Sequence, residues 1–178
     1  LISNSGEVKL TDFGISRAAF QMEEQHQVIR GKYAYMAPEQ VAGRPLTGQT
    51  DIFALTIVLF ELLTGRRLFK AKEKAQTLNN VRNAEVPSLH AIRSQISYKL
   101  EDVVLKGLAK DLNERYPTAL KMLEALSQVI VEENHRATNN DLAQFIRDLD
   151  NPISNTLVAQ DTANVLPQTV VVAALEVV

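Results

Sequence analysis

From Ile52 to Leu63 ten of twelve residues are apolar, the exceptions being Thr56 and Glu61. Gly65 follows at once, so the run reads as a helix opened by Asp51, or by Thr50 before it, and stopped by the glycine. A helix that is apolar on every side has to be buried on every side. The chain must therefore wrap other elements around a central rod. Composition allows this, since 46% of the 178 residues are hydrophobic and 22% charged. That supports a packed core and excludes wholesale disorder.

Charge and cysteine usage narrow the functions open to such a fold. Lys plus Arg number 19 and Asp plus Glu 21, so the net charge is 19 − 21 = −2. A dedicated nucleic-acid binder carries a basic excess, which is missing here. With no cysteine there is no disulfide framework, thiolate metal site or thiol nucleophile, a composition that suits a reducing compartment. His26, His90 and His135 are scattered without metal spacing. Residue 1 is Leu, which argues against a native start, and no signal peptide or spanning apolar run is visible. A cytoplasmic location follows as the expectation.

Leu1–Ser3 and Val8–Thr11 are short β-favouring runs separated by Asn4-Ser5-Gly6, which predicts a hairpin. Gly14 to Gln27 has no clean period and reads as a loop. After a Ser97 cap, Leu100, Val103, Val104, Gly107 and Leu108 keep helical spacing. Pro117 suits a first helical turn, with Leu120, Leu123, Leu126, Val129 and Ile130 as the apolar face. A short amphipathic helix is expected over Asn139–Leu149, then an aperiodic tail from Ile153. The expected fold class is mainly α: a β-hairpin, then a helical bundle around the buried central helix.

Four motifs stand in order along this framework. Asp12-Phe13-Gly14 ends the second strand, and a 22-residue loop, Ile15–Met36, runs from it into Tyr35-Met36-Ala37-Pro38-Glu39, whose first two residues close the loop. Asp51 opens the apolar helix, and Asp111-Leu112-Asn113-Glu114-Arg115-Tyr116-Pro117 precedes the last large helix. Together they resemble the C-terminal lobe of a eukaryotic-type (Hanks-type) protein kinase, most like bacterial serine/threonine kinases. The resemblance implies a kinase-domain fragment over residues 1–136, α+β when complete but with the N-lobe absent here. Residues 137–150 resemble a helical extension found in such bacterial kinases, and 151–178 read as a tail or linker.

By that resemblance Asp12 gives a carboxylate to the Mg²⁺ that bridges ATP phosphates, consistent with a hard cation seeking oxygen. Phe13 packs differently in active and inactive forms, and Gly14 lets the backbone turn. Gly31, Lys32 and Tyr35 fall in the substrate-docking loop, where Ser/Thr kinases usually carry Thr at the place of Lys32. Glu39 is implied to fork onto Arg115, and Asp51 to brace the catalytic loop, so these three are structural. Thr56 replaces a usual Gly. Tyrosine kinases usually carry Trp before their Ala/Ser-Pro-Glu, and this chain has no Trp, which favours Ser/Thr. The loop holds Ser16, Tyr33 and Tyr35 but no Thr, so no switch by threonine phosphorylation is expected there.

The family's Gly-rich loop, N-lobe Lys and catalytic loop are not in these residues, so no catalytic residue lies in the chain. The base is expected upstream of Leu1. The implied cofactors are ATP and Mg²⁺, and the implied partners are protein substrates and the N-lobe, with no nucleic acid. The isolated chain is expected neither to bind ATP tightly nor to transfer phosphate, and to expose apolar surface where a covering helix is missing. Two function classes compete: part of an ATP-dependent Ser/Thr protein kinase, or a non-catalytic pseudokinase or docking scaffold. Asp12 favours the first, while the absent base and Lys32 favour the second. Kinases of this type often carry a sensor or membrane part after such a linker, here beyond Val178.

Overall fold

A computed structural model describes residues 1–9, 11, 32–134 and 137–150. Asp12, Phe13, Gly14 and Gly31, the loop from Gly14 to Gln27 and the tail lie outside the described residues. Among the described residues the fold is mainly α. A 3₁₀ turn, Lys32–Tyr35, leads into seven helices: α1 (Pro38–Val41), α2 (Gly48–Thr64), α3 (Lys74–Asn83), α4 (Leu89–Ile92), α5 (Tyr98–Gly107), α6 (Ala119–Glu132) and α7 (Asn139–Asp150). The backbone divides into two units, Gly14–Leu126 and Leu1–Phe13 with Ser127–Val178.

In the middle unit α2 is the organising element. Its start lies earlier than the sequence pattern suggests, because Thr47 rather than Thr50 or Asp51 is the cap. The Thr47 hydroxyl accepts from Gln49 N–H at 3.3 Å, and Thr50 Oγ1 accepts from Thr47 N–H at 3.2 Å. That pairing satisfies orphan donors of the first turn. Gly65 ends the helix at φ +67°, the left-handed conformation that glycine adopts without cost. Ile52, Phe53, Thr56, Ile57, Leu59, Phe60 and Leu63 are buried. Burial on every side is not reached, since Val58 is 41% exposed and Asp51 is exposed.

Around this rod α5 carries Leu100, Val103 and Val104 inward behind a Ser97 cap whose hydroxyl accepts from Leu100 N–H at 3.1 Å. Gly107 lets α5 approach α2 closely, because a Cβ there would lie 2.5 Å from Thr56 Oγ1. Thr56 itself donates to the Ile52 carbonyl at 2.6 Å. The turn before α6 corrects another expectation. Pro117 stands outside the helix, and Thr118 accepts from Lys121 N–H at 3.3 Å. The inward residues of α6 are Met122, Leu126 and Val129, whereas Leu120 is 61% exposed.

In the other unit the first residues close a tight hairpin. Gly6 N–H donates to Ser3 O at 2.9 Å, and Ile2 and Val8 form one antiparallel bridge. Gly6 lies at φ +80°, and a Cβ on it would stand 1.8 Å from the Asn139 carbonyl oxygen. Only glycine serves both demands. The cap of α7 is Thr138, whose hydroxyl accepts from Asp141 N–H at 3.3 Å while the Asp141 carboxylate accepts from Thr138 N–H at 2.8 Å. The Thr138 hydroxyl also donates to that carboxylate at 2.7 Å, and this bond with the Thr138 N–H holds the Asp141 carboxyl below the usual carboxylate range. Leu142 and Ala143 are the buried residues of the helix.

The α5–α2 contact yields a test. Gly107→Ala should cost about 1–3 kcal/mol by overpacking, read as a lower melting temperature of the full-length protein. Adding Thr56→Gly should restore part of the loss, because it removes the side chain the new methyl meets. A double variant no better than the single one would contradict the close approach.

Candidate functional site

Pro38 occupies the first position of α1, where its missing N–H costs nothing and its fixed φ suits the helix. The Gln40 side chain accepts from Ala37 N–H at 2.8 Å and fixes the entry to that turn. Glu39 is thereby directed into the core, where it is 4% exposed. Arg115 comes from the turn before α6, in which the Asp111 carboxylate accepts from Asn113 N–H at 2.9 Å. The two meet as a fork: Nη1 to Oε1 at 2.9 Å and Nη2 to Oε2 at 3.3 Å. Arg115 also donates to the Gln49 carbonyl at 2.8 Å and the Ala109 carbonyl at 3.1 Å. Its guanidinium lies 4.7 Å from the Phe53 ring centroid.

Thr50 completes the carboxylate's shell, its hydroxyl donating to Oε1 at 2.9 Å. Burial by itself pushes the Glu39 carboxyl up. Hydrogen bonds from Arg115, its own backbone N–H and Thr50, with the Arg115 charge, outweigh that and hold it below the ordinary glutamate range. Among the described residues no buried side-chain nitrogen or oxygen is without a partner. The ion pair thus meets the condition under which burying charge is tolerable.

A second polar joint holds the segment that precedes Glu39. Tyr35 donates its hydroxyl to Glu61 Oε2 at 2.7 Å. Arg67 reaches the same oxygen at 2.7 Å and also contacts the Tyr35 hydroxyl, and Leu68 N–H donates to Oε1 at 3.3 Å. Burial raises the Glu61 carboxyl, and the Leu68 N–H and the Lys70 charge only partly oppose it. Lys74 Nζ lies 4.2 Å from the Tyr33 ring centroid. The Lys32–Tyr35 turn is therefore fastened to α2 through Tyr35 and to α3 through Tyr33.

Of the residues singled out from sequence, the structure brings Glu39 and Arg115 together and joins Tyr35 to the central helix. Lys32 is exposed, and Asp51 is exposed in the first turn of α2, where the helix dipole favours a carboxylate. Asp12, Phe13, Gly14 and Gly31 lie outside the described residues. Sequence reading missed Gln49, Thr50 and Glu61 as partners of Arg115, Glu39 and Tyr35, Thr50 being read only as a possible cap. Glu61 had a signal, being one of two residues that interrupt the apolar run. Gln49 accepts from Arg115 through its carbonyl and donates its side-chain amide to the Leu112 carbonyl at 2.7 Å and the Tyr116 carbonyl at 3.1 Å. A lone polar residue before an apolar run carries no signal for such distant partners.

Among the described residues no group of three His, Cys, Asp or Glu is placed to hold a metal ion. Asp12, the carboxylate expected from sequence to meet a cation, lies outside the described residues. One carboxylate suits Mg²⁺, which commonly takes one or two together with substrate phosphates and water.

Residues 1–128 match the family model described as "Protein kinase domain". The tyrosine-protein kinase MasK of Myxococcus xanthus is 33% identical over 147 residues, covering 82% of this chain and 23% of that protein. The serine/threonine-protein kinase PrkC of Bacillus subtilis is 39% identical over 68% of this chain and 19% of its own length. A probable serine/threonine-protein kinase PknB of Lactococcus lactis is 37% identical over 69% and 20%. The chain thus spans about a fifth of the length of the curated relatives it matches. Among solved structures, the autoinhibited serine kinase domain of titin aligns with a TM-score of 0.51 at 26% identity, over 63% of this chain and 36% of that one. A twitchin kinase fragment shares the fold, with a TM-score of 0.51 at 22% identity over 79% and 31%.

The buried fork sets two expectations. Arg115→Ala in the full-length protein should cost roughly 3–5 kcal/mol, because Glu39 is left charged and unanswered. Arg147→Ala, at an exposed site on α7, should change the melting temperature little. Equal small losses would reject the pairing. A carboxyl depressed on folding adds stability above its unfolded pKa and loses it as pH falls through the folded value. Stability should therefore drop below about pH 4, and Glu39→Gln should flatten that drop in acid-unfolding curves.

Proposed function

The chain belongs to the protein kinase domain family, and from that premise we propose that it is the C-terminal lobe portion of an ATP-dependent serine/threonine protein kinase. The family generally uses ATP and Mg²⁺ and acts on proteins. The observation that carries the reading is the double fastening of one segment. Tyr35 is held by Glu61, and four residues on Glu39 is held by Arg115. Phosphoryl transfer asks a protein mainly for positioning and charge neutralisation. A docking segment clamped at both ends onto a buried rod supports the positioning part.

In this reading Asp12 supplies the carboxylate to Mg²⁺, which neutralises phosphate charge when bound, and Phe13 and Gly14 set that carboxylate's position. Gly31, Lys32 and Tyr35 shape the surface that receives the substrate chain. Asp51 braces the catalytic loop through backbone N–H groups. The Gly-rich loop, the N-lobe Lys and the catalytic base belong to parts of the kinase domain outside these 178 residues. Activity is accordingly assigned to the longer protein with its N-lobe. Residues 1–136 are the kinase-domain part, 137–150 a helical extension and 151–178 a linker. Choice of Ser/Thr over Tyr rests on the absence of Trp before Ala37-Pro38-Glu39. Among the described residues no helix is long and apolar enough to cross a membrane.

The full-length protein, given Mg²⁺ and labelled ATP, should label Ser and Thr peptides in preference to Tyr peptides. Asp12→Asn should lower that transfer by about 10²-fold or more, the scale of losing one electrostatic stabiliser. The isolated 178-residue chain should stay at background. A folded full-length protein that transfers nothing would leave the scaffold reading instead. Mass spectrometry of the active protein should find no stoichiometric phosphate within Ile15–Met36.

A further inference from the structure

The nine residues after Gly65, from Arg66 to Lys74, carry five cations and one acid, 5 − 1 = +4, in a chain whose net charge is −2. They form the connection from α2 to α3, and it is held firmly. Phe69 is 1% exposed and stacks on Phe53 with ring centroids 6.0 Å apart. The Phe69 carbonyl accepts from Asn80 Nδ2 at 3.2 Å, and Ala71 N–H donates to Thr77 Oγ1 at 3.0 Å. With Phe69 pinned inward, Arg66, Lys70, Lys72 and Lys74 are exposed.

This basic connection borders the Lys32–Tyr35 turn. Arg67 is tied to Tyr35 and Glu61, Lys74 sits on Tyr33, and the Lys70 charge is felt at Glu61. Of the two acids here, Glu61 already receives Tyr35, Arg67 and Leu68 N–H, so its charge is answered within the protein, and the exposed Glu73 is one carboxylate against five cations. Lys74 also stands in the first turn of α3, where the helix dipole disfavours a cation. What remains to attract a ligand beside the docking turn is positive.

We propose that this surface selects protein substrates with Asp or Glu close to the accepting hydroxyl, Lys70 and Lys72 meeting those carboxylates. The proposal rests on the kinase reading for the nature of the occupant, and charge complementarity supplies its chemistry. An acidic peptide is favoured over a membrane because the basic connection borders, through Arg67 and Lys74, the turn that the family uses for substrates. Exposed charge pairs are individually weak, so the selection is a sum of several.

The test uses the full-length protein and its Lys70→Glu/Lys72→Glu variant, with Lys110→Glu as an exposed control on another turn. Serine peptides flanked by Glu or by Ala are compared by their kcat/KM ratio. The Glu/Ala ratio should exceed one and fall about tenfold in the double variant, with the control unmoved. A ratio of one, or a ratio the variant leaves unchanged, overturns the proposal while the kinase reading stands. If no phosphate is transferred, anisotropy of a labelled Glu-flanked peptide at low salt still decides. Binding weakened by the double variant supports the surface, and binding that is absent or unchanged overturns it. Binding to phosphatidylserine vesicles without preference among peptides would assign the cations to a membrane and also overturn it.

Discussion

A guanidinium with no exposed surface needs an answer on every side, and Arg115 finds its answers in separate parts of the chain. Glu39 meets it from α1, the Gln49 carbonyl from the start of α2, the Ala109 carbonyl from beyond α5, and the Phe53 ring from α2. Each partner is held by its own local device. Pro38 and Gln40 set α1, the Thr47 cap sets α2, and the Asp111 turn sets Arg115. Desolvating two charges is expensive, so the pair persists only while all of these are correct. It acts as a check on the assembly of the middle unit more than as a source of its stability.

The central rod gives that check its frame. α2 supplies Phe53 to the arginine, Thr50 to the glutamate and Glu61 to Tyr35, all from one rigid helix. Thr56 and Gly107 bring α5 close to the rod, a bulky residue on one side matched by the smallest on the other. The Lys32–Tyr35 turn and α1 are thus both tied to this helix, and the turn also rests on α3 through Tyr33 and Lys74.

Much of this was legible from sequence because some signals are local. A glycine after an apolar run, a serine before one and Asn-Ser-Gly between two β-favouring runs act over a few residues, and Gly65, Ser97 and Gly6 serve in those ways. Boundaries were less legible. The apolar pattern begins at Ile52, while the first turn of α2 holds Gln49, Thr50 and Asp51, polar residues whose work is capping and cross-linking. Leu120 looked like part of a core stripe, yet the inward face of α6 runs through Met122, Leu126 and Val129, because where the neighbouring element lies chooses the face. The short helices α1, α3 and α4 left little periodic trace.

By itself the sequence determined that a rod existed, that a hairpin opened the chain and that an acid at 39 and a base at 115 belonged to one family pattern. Those are matters of side-chain chemistry and spacing, which the chain carries wherever it goes. Only the tertiary structure decided that backbone carbonyls at 49 and 109 would complete the arginine's shell, that Glu61 would be covered from within, and that Arg67 and Lys74 would bring a basic connection beside the Lys32–Tyr35 turn. Such outcomes depend on which distant segments share a neighbourhood, and the packing of whole helices settles that.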